Sequence, residues 1–178
     1  GNIWAAQSDY FQSVKGGGHG DYSLCVLAPA SVQEMFDMTF LAFDIAFAYR
    51  NPVVILSDGM IGQMMEPVEL RSPRTNGPTP PPASADTWAL TGAKGRAPRC
   101  VKSLYLGEGV LEQHNRKLQE KYARLAENEL RFQTLDTDDA DFLLVAYGTT
   151  ARISHEVVLR LRARGVKAGL LRPQTLWP

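Results

Sequence analysis

Residues 22–59, YSLCVLAPASVQEMFDMTFLAFDIAFAYRNPVVILSDG, constrain the fold more than any other part of the chain. A short, mostly apolar run from Tyr22 to Ala28 is stopped by Pro29. Ser31-Val32-Gln33-Glu34 then has the form of a capping box, in which the Ser31 hydroxyl accepts from the Glu34 N–H and the Glu34 carboxylate reaches back to the Ser31 N–H. Val32, Met35, Phe36, Phe40, Phe43 and Phe47 recur at helical spacing, with Thr39 on the same face. Ala42, Ile45 and Ala46 widen the stripe until it nearly surrounds the helix, which predicts packing on more than one side. Asn51-Pro52 ends it, because the residue before proline is pushed out of the α region. Val53-Val54-Ile55-Leu56 is β-branched and uninterrupted, the pattern of a parallel strand buried on both faces. Strand, helix and strand in this order make a βαβ crossover, so the predicted class is α/β with parallel-sheet βαβ units.

A second unit of the same kind closes the chain. Residues 141–147, DFLLVAY, read as a strand. Gly148 turns the chain, Thr149 or Thr150 is placed to cap a helix running to about Arg164, and Gly165 takes the C′ position. Residues 166–171 form the next strand. Strand, glycine, two threonines and a helix can cradle a phosphate. Without a Walker lysine or the full dinucleotide glycine spacing, an ordinary βα turn is the better reading.

Between the units lie a linker and a charged helix. Pro73, Pro78, Pro80, Pro81, Pro82 and Pro98 make residues 70–100 a linker, stiffest at the proline triplet. Leu111, Leu118, Leu125 and Phe132 repeat every seven residues, with Tyr122 beside them, and predict a helix over 111–132. Glu112 and Arg116, Glu120 and Arg124, and Glu127 and Arg131 stand at i,i+4 and mark its solvent face. Its narrow stripe suits a helix laid along a surface. At the start of the chain, Trp4, Tyr10, Phe11 and Val14 share one face of a predicted helix over 1–15.

Charge and cysteine usage exclude several classes. Lys+Arg and Asp+Glu balance at 19 each, which removes the electrostatic case for nucleic acid or anionic membranes. No apolar run is long enough to span a bilayer. Cys25 and Cys100 are far apart and form no metal-ligand pattern, so no metal site or iron–sulfur cluster is expected on this chain. A reducing cytoplasm is the default compartment.

The candidate site residues sit at the seams of the first unit. Asp58 follows the second strand, at the carboxyl edge where ligands bind in open α/β sheets. It is equally readable as a turn carboxylate capping the next segment. Met60, Met64 and Met65 suit an adaptable apolar contact. The loop Gly16-Gly17-Gly18-His19-Gly20-Asp21 precedes a strand and lies at the amino edge, which favours a backbone-crowded loop or a subunit contact through His19 and Asp21 over a catalytic pair. Asn2, Gln7 and Asp9 read by themselves as the opening of a helix, where polar residues offset the orphan N–H groups.

Taken together, Gln7-Ser8-Asp9-Tyr10-Phe11, the residue 16–21 loop, Val26-Leu27-Ala28-Pro29, Ser31-Val32-Gln33-Glu34-Met35 and Tyr49-Arg50-Asn51-Pro52-Val53 resemble the alpha subunit of the 2-oxoacid:ferredoxin oxidoreductases. Asp58-Gly59, Gly62-Gln63-Met64-Met65-Glu66-Pro67, Gly95-Arg96, His114-Asn115-Arg116-Lys117-Leu118 and residues 145–152 extend the resemblance over nearly the whole chain. The 2-oxoisovalerate, or branched-chain, type is the most similar.

The resemblance implies a thiamine-diphosphate pyrimidine-type domain whose C-terminal half is residues 1–69, a linker and charged helix over 70–137, and the start of a transketolase C-terminal-like domain over 138–178. It implies thiamine diphosphate with Mg²⁺ shared with a partner chain, beta and gamma/delta-type subunits bearing iron–sulfur clusters, ferredoxin as electron acceptor and coenzyme A as acyl acceptor. Asn2, Gln7, Asp9 and Asp58 become candidates for the substrate entrance, and His19, Asp21, Met64 and Met65 for subunit contact. The family's activating glutamate and its substrate-binding threonine and arginine have no matching positions, so the chain reads as an internal, catalytically inactive piece of a longer subunit. Two alternatives stay open: a non-catalytic scaffold of a multi-subunit complex, and another transketolase-like thiamine enzyme.

Overall fold

The structure is a computed structural model that describes residues 8–16, 18, 20–70 and 88–178. The first unit is the predicted βαβ crossover. Strand β1 (Cys25–Leu27) leads into helix α2 (Val32–Tyr49), which follows a short helix α1 (Tyr10–Val14), and strand β2 (Val53–Ile55) returns parallel to β1. Pairing Cys25 with Val53 and Leu27 with Ile55 sets the register. The Ser31 hydroxyl accepts from the Glu34 N–H at 3.1 Å, as the capping box requires. Glu34 reaches one residue further back than expected, to the Ala30 N–H at 2.8 Å.

Helix α3 (Val110–Asn128) lies across this unit. Its buried Tyr122 and Leu125 join Cys25, Leu27, Met38 and Ile45 in one core. The helix stops earlier than the heptad pattern implies, and Phe132 falls on strand β3 (Phe132–Leu135) instead. The main chain of Arg131 explains the break, because its carbonyl accepts from Gln174 and Thr175 N–H groups at 2.9 and 3.1 Å. Of the three i,i+4 pairs, Glu112 and Arg116 close at 2.6 Å, whereas Arg131 has left the helix and pairs with Glu129 at 2.6 Å.

The second unit holds β3, β4 (Phe142–Val145), α4 (Gly148–Arg162) and β5 (Ala168–Pro173). Sheet order is β3-β5-β4, with β4 parallel and β3 antiparallel to β5. At the end of α4, Gly165 (φ +82°) lets its N–H reach the Arg162 carbonyl while Val166 N–H reaches Leu161, both at 3.0 Å. That is the paired closure of a Schellman motif with Gly165 at C′. The chain then changes sheets. After Gln174 it forms β6 (Thr175–Trp177), which pairs antiparallel with β1 and makes the first sheet β2-β1-β6. Trp177 meets the Tyr122 ring edge-on at 5.5 Å.

Two expectations about burial are corrected. α2 is packed through Met38, Leu41, Ala42, Ile45 and Tyr49, while Phe40, Phe43 and Phe47 remain 53%, 64% and 52% exposed. The second strand is an edge, and its residues are only half-buried; the fully buried central strand is β1, which has neighbours on both sides. Among the described residues no helix is long and apolar enough to cross a membrane.

The heptad makes a direct comparison possible. Leu125 is wholly buried and Leu111 half-exposed. In urea denaturation, Leu125→Ala is expected to cost about 2–5 kcal/mol, and Leu111→Ala less than about 0.5 kcal/mol. Equal costs would mean that α3 does not sit on this core.

Candidate functional site

The carboxyl ends of β1 and β2 face the second unit, and three carboxylates of the first unit reach across the seam. Asp58 stands just beyond β2. Its Oδ1 accepts from the Met60 and Ile61 N–H groups at 3.1 and 3.0 Å, closing a short 3₁₀ turn (Ile61–Gln63). The same carboxylate takes the Thr149 hydroxyl at 2.9 Å on Oδ1 and the Thr149 N–H at 3.2 Å on Oδ2. Gly148 has φ +58°, a left-handed conformation that favours glycine, while a Cβ there would make only ordinary contact with Asp58 Oδ2 at 3.4 Å.

Asp58 therefore caps two segments at once. The turn-capping reading of this residue holds, and the expected cap of α4 does not: Tyr147 occupies the N-cap position and its side chain does not cap the helix, and Thr149 donates to Asp58 rather than capping its own helix. Burial pushes the Asp58 carboxyl up, but the bonds from Ile61, Thr149 and Met60 outweigh it and hold it below the usual carboxylate range.

Glu34 and Glu66 fill the start of α2 in the same way. Glu66 Oε2 accepts from the Val32 N–H at 2.9 Å, and its Oε1 pairs with Arg152 of α4 at 2.7 Å. Arg152 also donates to the Ala30 carbonyl at 3.1 Å. Glu34 takes a bidentate pair from Arg172 of β5, with Nη1 to Oε1 at 2.9 Å and Nη2 to Oε2. Arg172 is nine-tenths buried, and its Nη1 also donates to Gln133 Oε1 at 2.7 Å. Burial raises the Glu34 carboxyl, and the Arg172 bonds, the Ala30 N–H and the Arg172 charge overcome it and lower it. The hydrogen bond and charge of Arg152 likewise lower Glu66.

A cleft of about 480 Å³ opens beside these pairs, between the start of α2, α4 and the β3–β5 face. A second cavity of about 700 Å³ lies on the other side of the β3-β5-β4 sheet, where Tyr10 stacks on Tyr147 with centroids 6.0 Å apart.

The other sequence candidates are scattered. Asp21 accepts from Asn115 of α3 at 3.3 Å and so contacts this chain's own helix. Met64 is half-buried and Met65 is 99% exposed. Asp9 is exposed at the start of α1 with no side-chain cap bond. Asn2, Gln7 and His19 lie outside the described residues. Glu66, Arg152 and Arg172 were not singled out from the sequence. The available signal was Arg172 itself: a lone charge in the run Ala168–Pro173 needs a buried carboxylate nearby.

The three carboxylates make a definite pH prediction. Their folded values lie below the unfolded ones, so their stabilisation is complete above the ordinary carboxylate range and is lost as pH falls through the lowered values. Asp58→Ala is expected to cost about 1–3 kcal/mol at pH 7, and the cost should shrink on acidification below about pH 4. A pH-independent cost in denaturant titrations would show that the charge is not what Thr149 and the turn recognise.

The comparisons with known proteins agree along the chain. The family described as pyruvate flavodoxin/ferredoxin oxidoreductase, thiamine-diphosphate-binding, matches residues 1–129, and pyruvate:ferredoxin oxidoreductase core domain II matches residues 140–178. Ketoisovalerate oxidoreductase subunit VorB of Methanothermobacter thermautotrophicus is 49% identical over 178 residues, which is 100% of this chain and 49% of that protein. The 2-oxoglutarate synthase subunit KorA of Methanothermobacter marburgensis is 36% identical over 197 aligned residues, covering 98% of this chain and 52% of that one. The chain thus spans about half the length of these curated relatives. A solved 2-oxoglutarate:ferredoxin oxidoreductase from Magnetococcus marinus, with 2-oxoglutarate, coenzyme A and succinyl-CoA bound, shares the fold at TM-score 0.70 and 22% identity, over 97% of this chain and 34% of that one.

Proposed function

The chain belongs to the pyruvate flavodoxin/ferredoxin oxidoreductase family of thiamine-diphosphate-binding domains, and from that premise we propose that it is part of the alpha-type subunit of a 2-oxoacid:ferredoxin oxidoreductase acting on 2-oxoisovalerate. One observation carries the substrate assignment: identity to the ketoisovalerate subunit is 49% over the whole chain, against 36% to the 2-oxoglutarate subunit. The proposed reaction is coenzyme A-dependent oxidative decarboxylation, with electrons passed through iron–sulfur partner subunits to ferredoxin in the cytoplasm. The proposed division is residues 1–69 for the back half of the pyrimidine-type domain, 70–137 for the connection, and 138–178 for the start of the transketolase C-terminal-like domain.

The described residues do not fit the diphosphate and magnesium end of the cofactor. Among them no three His, Cys, Asp or Glu side chains are grouped to hold a metal. The N-terminus of α2 holds Glu34 and Glu66, and that of α4 holds Asp58, each where a phosphate would otherwise sit. We assign that end of the cofactor to a partner chain. The part of this chain is architectural: Asp58, Glu34 and Glu66 fix the two units against each other. Asn2, Gln7, Asp9 and Asp58 remain entrance candidates, although the four bonds to Asp58 give it a structural duty. His19, Asp21, Met64 and Met65 remain contact candidates, with Met65 wholly exposed.

The test is viologen reduction by the assembled complex. Reduction should require coenzyme A and run several-fold faster with 2-oxoisovalerate than with pyruvate or 2-oxoglutarate, and the 178-residue chain alone should show no turnover. A preference for 2-oxoglutarate would overturn the substrate assignment. Absence of coenzyme A-dependent turnover with all three acids would overturn the oxidoreductase reading.

A further inference from the structure

The chain is neutral as a whole, but its charge is not evenly spread. Residues 88–107, WALTGAKGRAPRCVKSLYLG, hold Lys94, Arg96, Arg99 and Lys102 and no Asp or Glu. Residues 89–109 are in neither helix nor strand, yet this strap is tied to the first unit at both ends. At one end the Arg50 guanidinium, just past α2, lies 4.7 Å over the Trp88 ring. At the other, Tyr105 stacks on His114 of α3 with centroids 4.7 Å apart, and Lys102 stands 5.7 Å over the Tyr105 ring.

Between these anchors the cations are held by the strap itself. Arg96 donates to the Gly92 carbonyl and, at 2.9 Å, to the Ala97 carbonyl; Arg99 donates to the Ala89 carbonyl at 2.6 Å. Carbonyl acceptors fix the guanidinium groups and leave their charge uncompensated. Arg116, Arg152, Arg160, Arg162 and Arg172 each pair with a carboxylate, whereas no ion pair among the described residues uses a cation of the strap. The Trp88 anchor is positive as well. Lys121 reaches the Arg50 carbonyl at 3.4 Å, and burial, then the charges of Arg50 and Arg124, push its ammonium below the usual lysine range. Leu104 and Leu106 are 66% and 85% exposed on the same strap.

Three anionic surfaces compete for such a strap. Nucleic acid takes the cations but has no use for the leucines, and the aromatic ring that could stack on a base, Tyr105, is already covered by His114. A lipid surface is met by amphipathic helices, because main-chain groups outside helices and strands are costly to bring into a bilayer. An acidic protein face answers both features: its carboxylates meet the cations, and its apolar side chains cover the leucines.

We propose that residues 88–107 dock an acidic face of another subunit of the same assembly, with Lys94, Arg96, Arg99 and Lys102 meeting its carboxylates and Leu104 and Leu106 meeting its apolar side chains. From the oxidoreductase reading the inference takes only that the chain works in a multi-subunit complex. Contact is tested separately from turnover, so the two can fail independently.

The complex, purified with the subunits that accompany this one, is treated with a water-soluble carbodiimide, which joins lysine amines to carboxylates in contact. Mass spectrometry should find Lys94 and Lys102 joined to Asp or Glu of another subunit. The affinity of that subunit for the full-length partner carrying this chain is then measured. It should fall at least fivefold between about 0.05 and 0.3 M sodium chloride. Lys94→Glu with Lys102→Glu should weaken it roughly tenfold and flatten the salt dependence. Neither lysine donates a hydrogen bond to the fold, so the melting temperature of the variant should be unchanged. Leu104→Ser with Leu106→Ser should weaken binding several-fold and leave the salt dependence in place. A short DNA duplex and vesicles of phosphatidylcholine with phosphatidylserine are the competing probes. Cross-links confined to this chain, no cross-link at either lysine, an affinity unchanged by the double lysine reversal, or tighter binding of the duplex or the vesicles than of the subunit would each overturn the proposal.

Discussion

The run from Ala168 to Trp177 is shared between two sheets, and the rest of the architecture depends on that sharing. As β5 it is the central strand of the second unit, with β3 and β4 on either side. After Gln174 it becomes β6 and gives β1 its second neighbour, which is why β1 rather than β2 is the buried strand. The crossing places Arg172 opposite Glu34 and brings Thr175 to the end of α3, where its hydroxyl donates to the Glu129 carbonyl at 2.8 Å and accepts from the Arg131 N–H at 2.8 Å. A strand committed to both sheets leaves the two units no freedom to slide, because a one-residue slip would turn Arg172 away from its carboxylate.

The seam is then closed by one device used twice. A helix N-terminus presents unpaired N–H groups and a positive dipole end, and it attracts an anion. Here the anions are supplied by the protein. Glu34 and Glu66 serve α2, Asp58 serves α4, and Glu34 and Glu66 each bind an arginine of the second unit as well. Helix capping and inter-unit adhesion are therefore the same set of contacts. The strand-glycine-threonine-threonine-helix turn, which the sequence favours as an ordinary βα turn over a phosphate cradle, receives the Asp58 carboxylate in the fold.

What was legible in the sequence was local. The Ser31 cap, the stop at Asn51-Pro52, the C′ role of Gly165 and the parallel pair β1–β2 all rest on interactions within one crossover, and their residue types announce them. What was not legible joins distant parts. Asp58 and Thr149 are 91 positions apart, and Glu34 and Arg172 are 138 apart. Periodicity has no access to such pairs. Phe132 shows the converse failure, since a seven-residue repeat carried the helix pattern past the point where the Arg131 main chain joins a sheet.

The open faces follow from the same geometry. β4 is parallel to β5 yet sits at an edge, with Phe142, Leu143 and Val145 exposed, and the Phe40, Phe43 and Phe47 stripe stands bare on α2. Parallel strands and wide apolar stripes are the pattern of elements covered on both sides. Their cover would have to come from outside the residues described, whereas the seam is complete within them. The carboxylates are spent at the seam, where the two units must be held in register. The exposed apolar side chains stand away from it, on α2 and on β4. That separation puts the charged contacts of this chain at the seam between the two units and its bare apolar surface on the elements furthest from it in function.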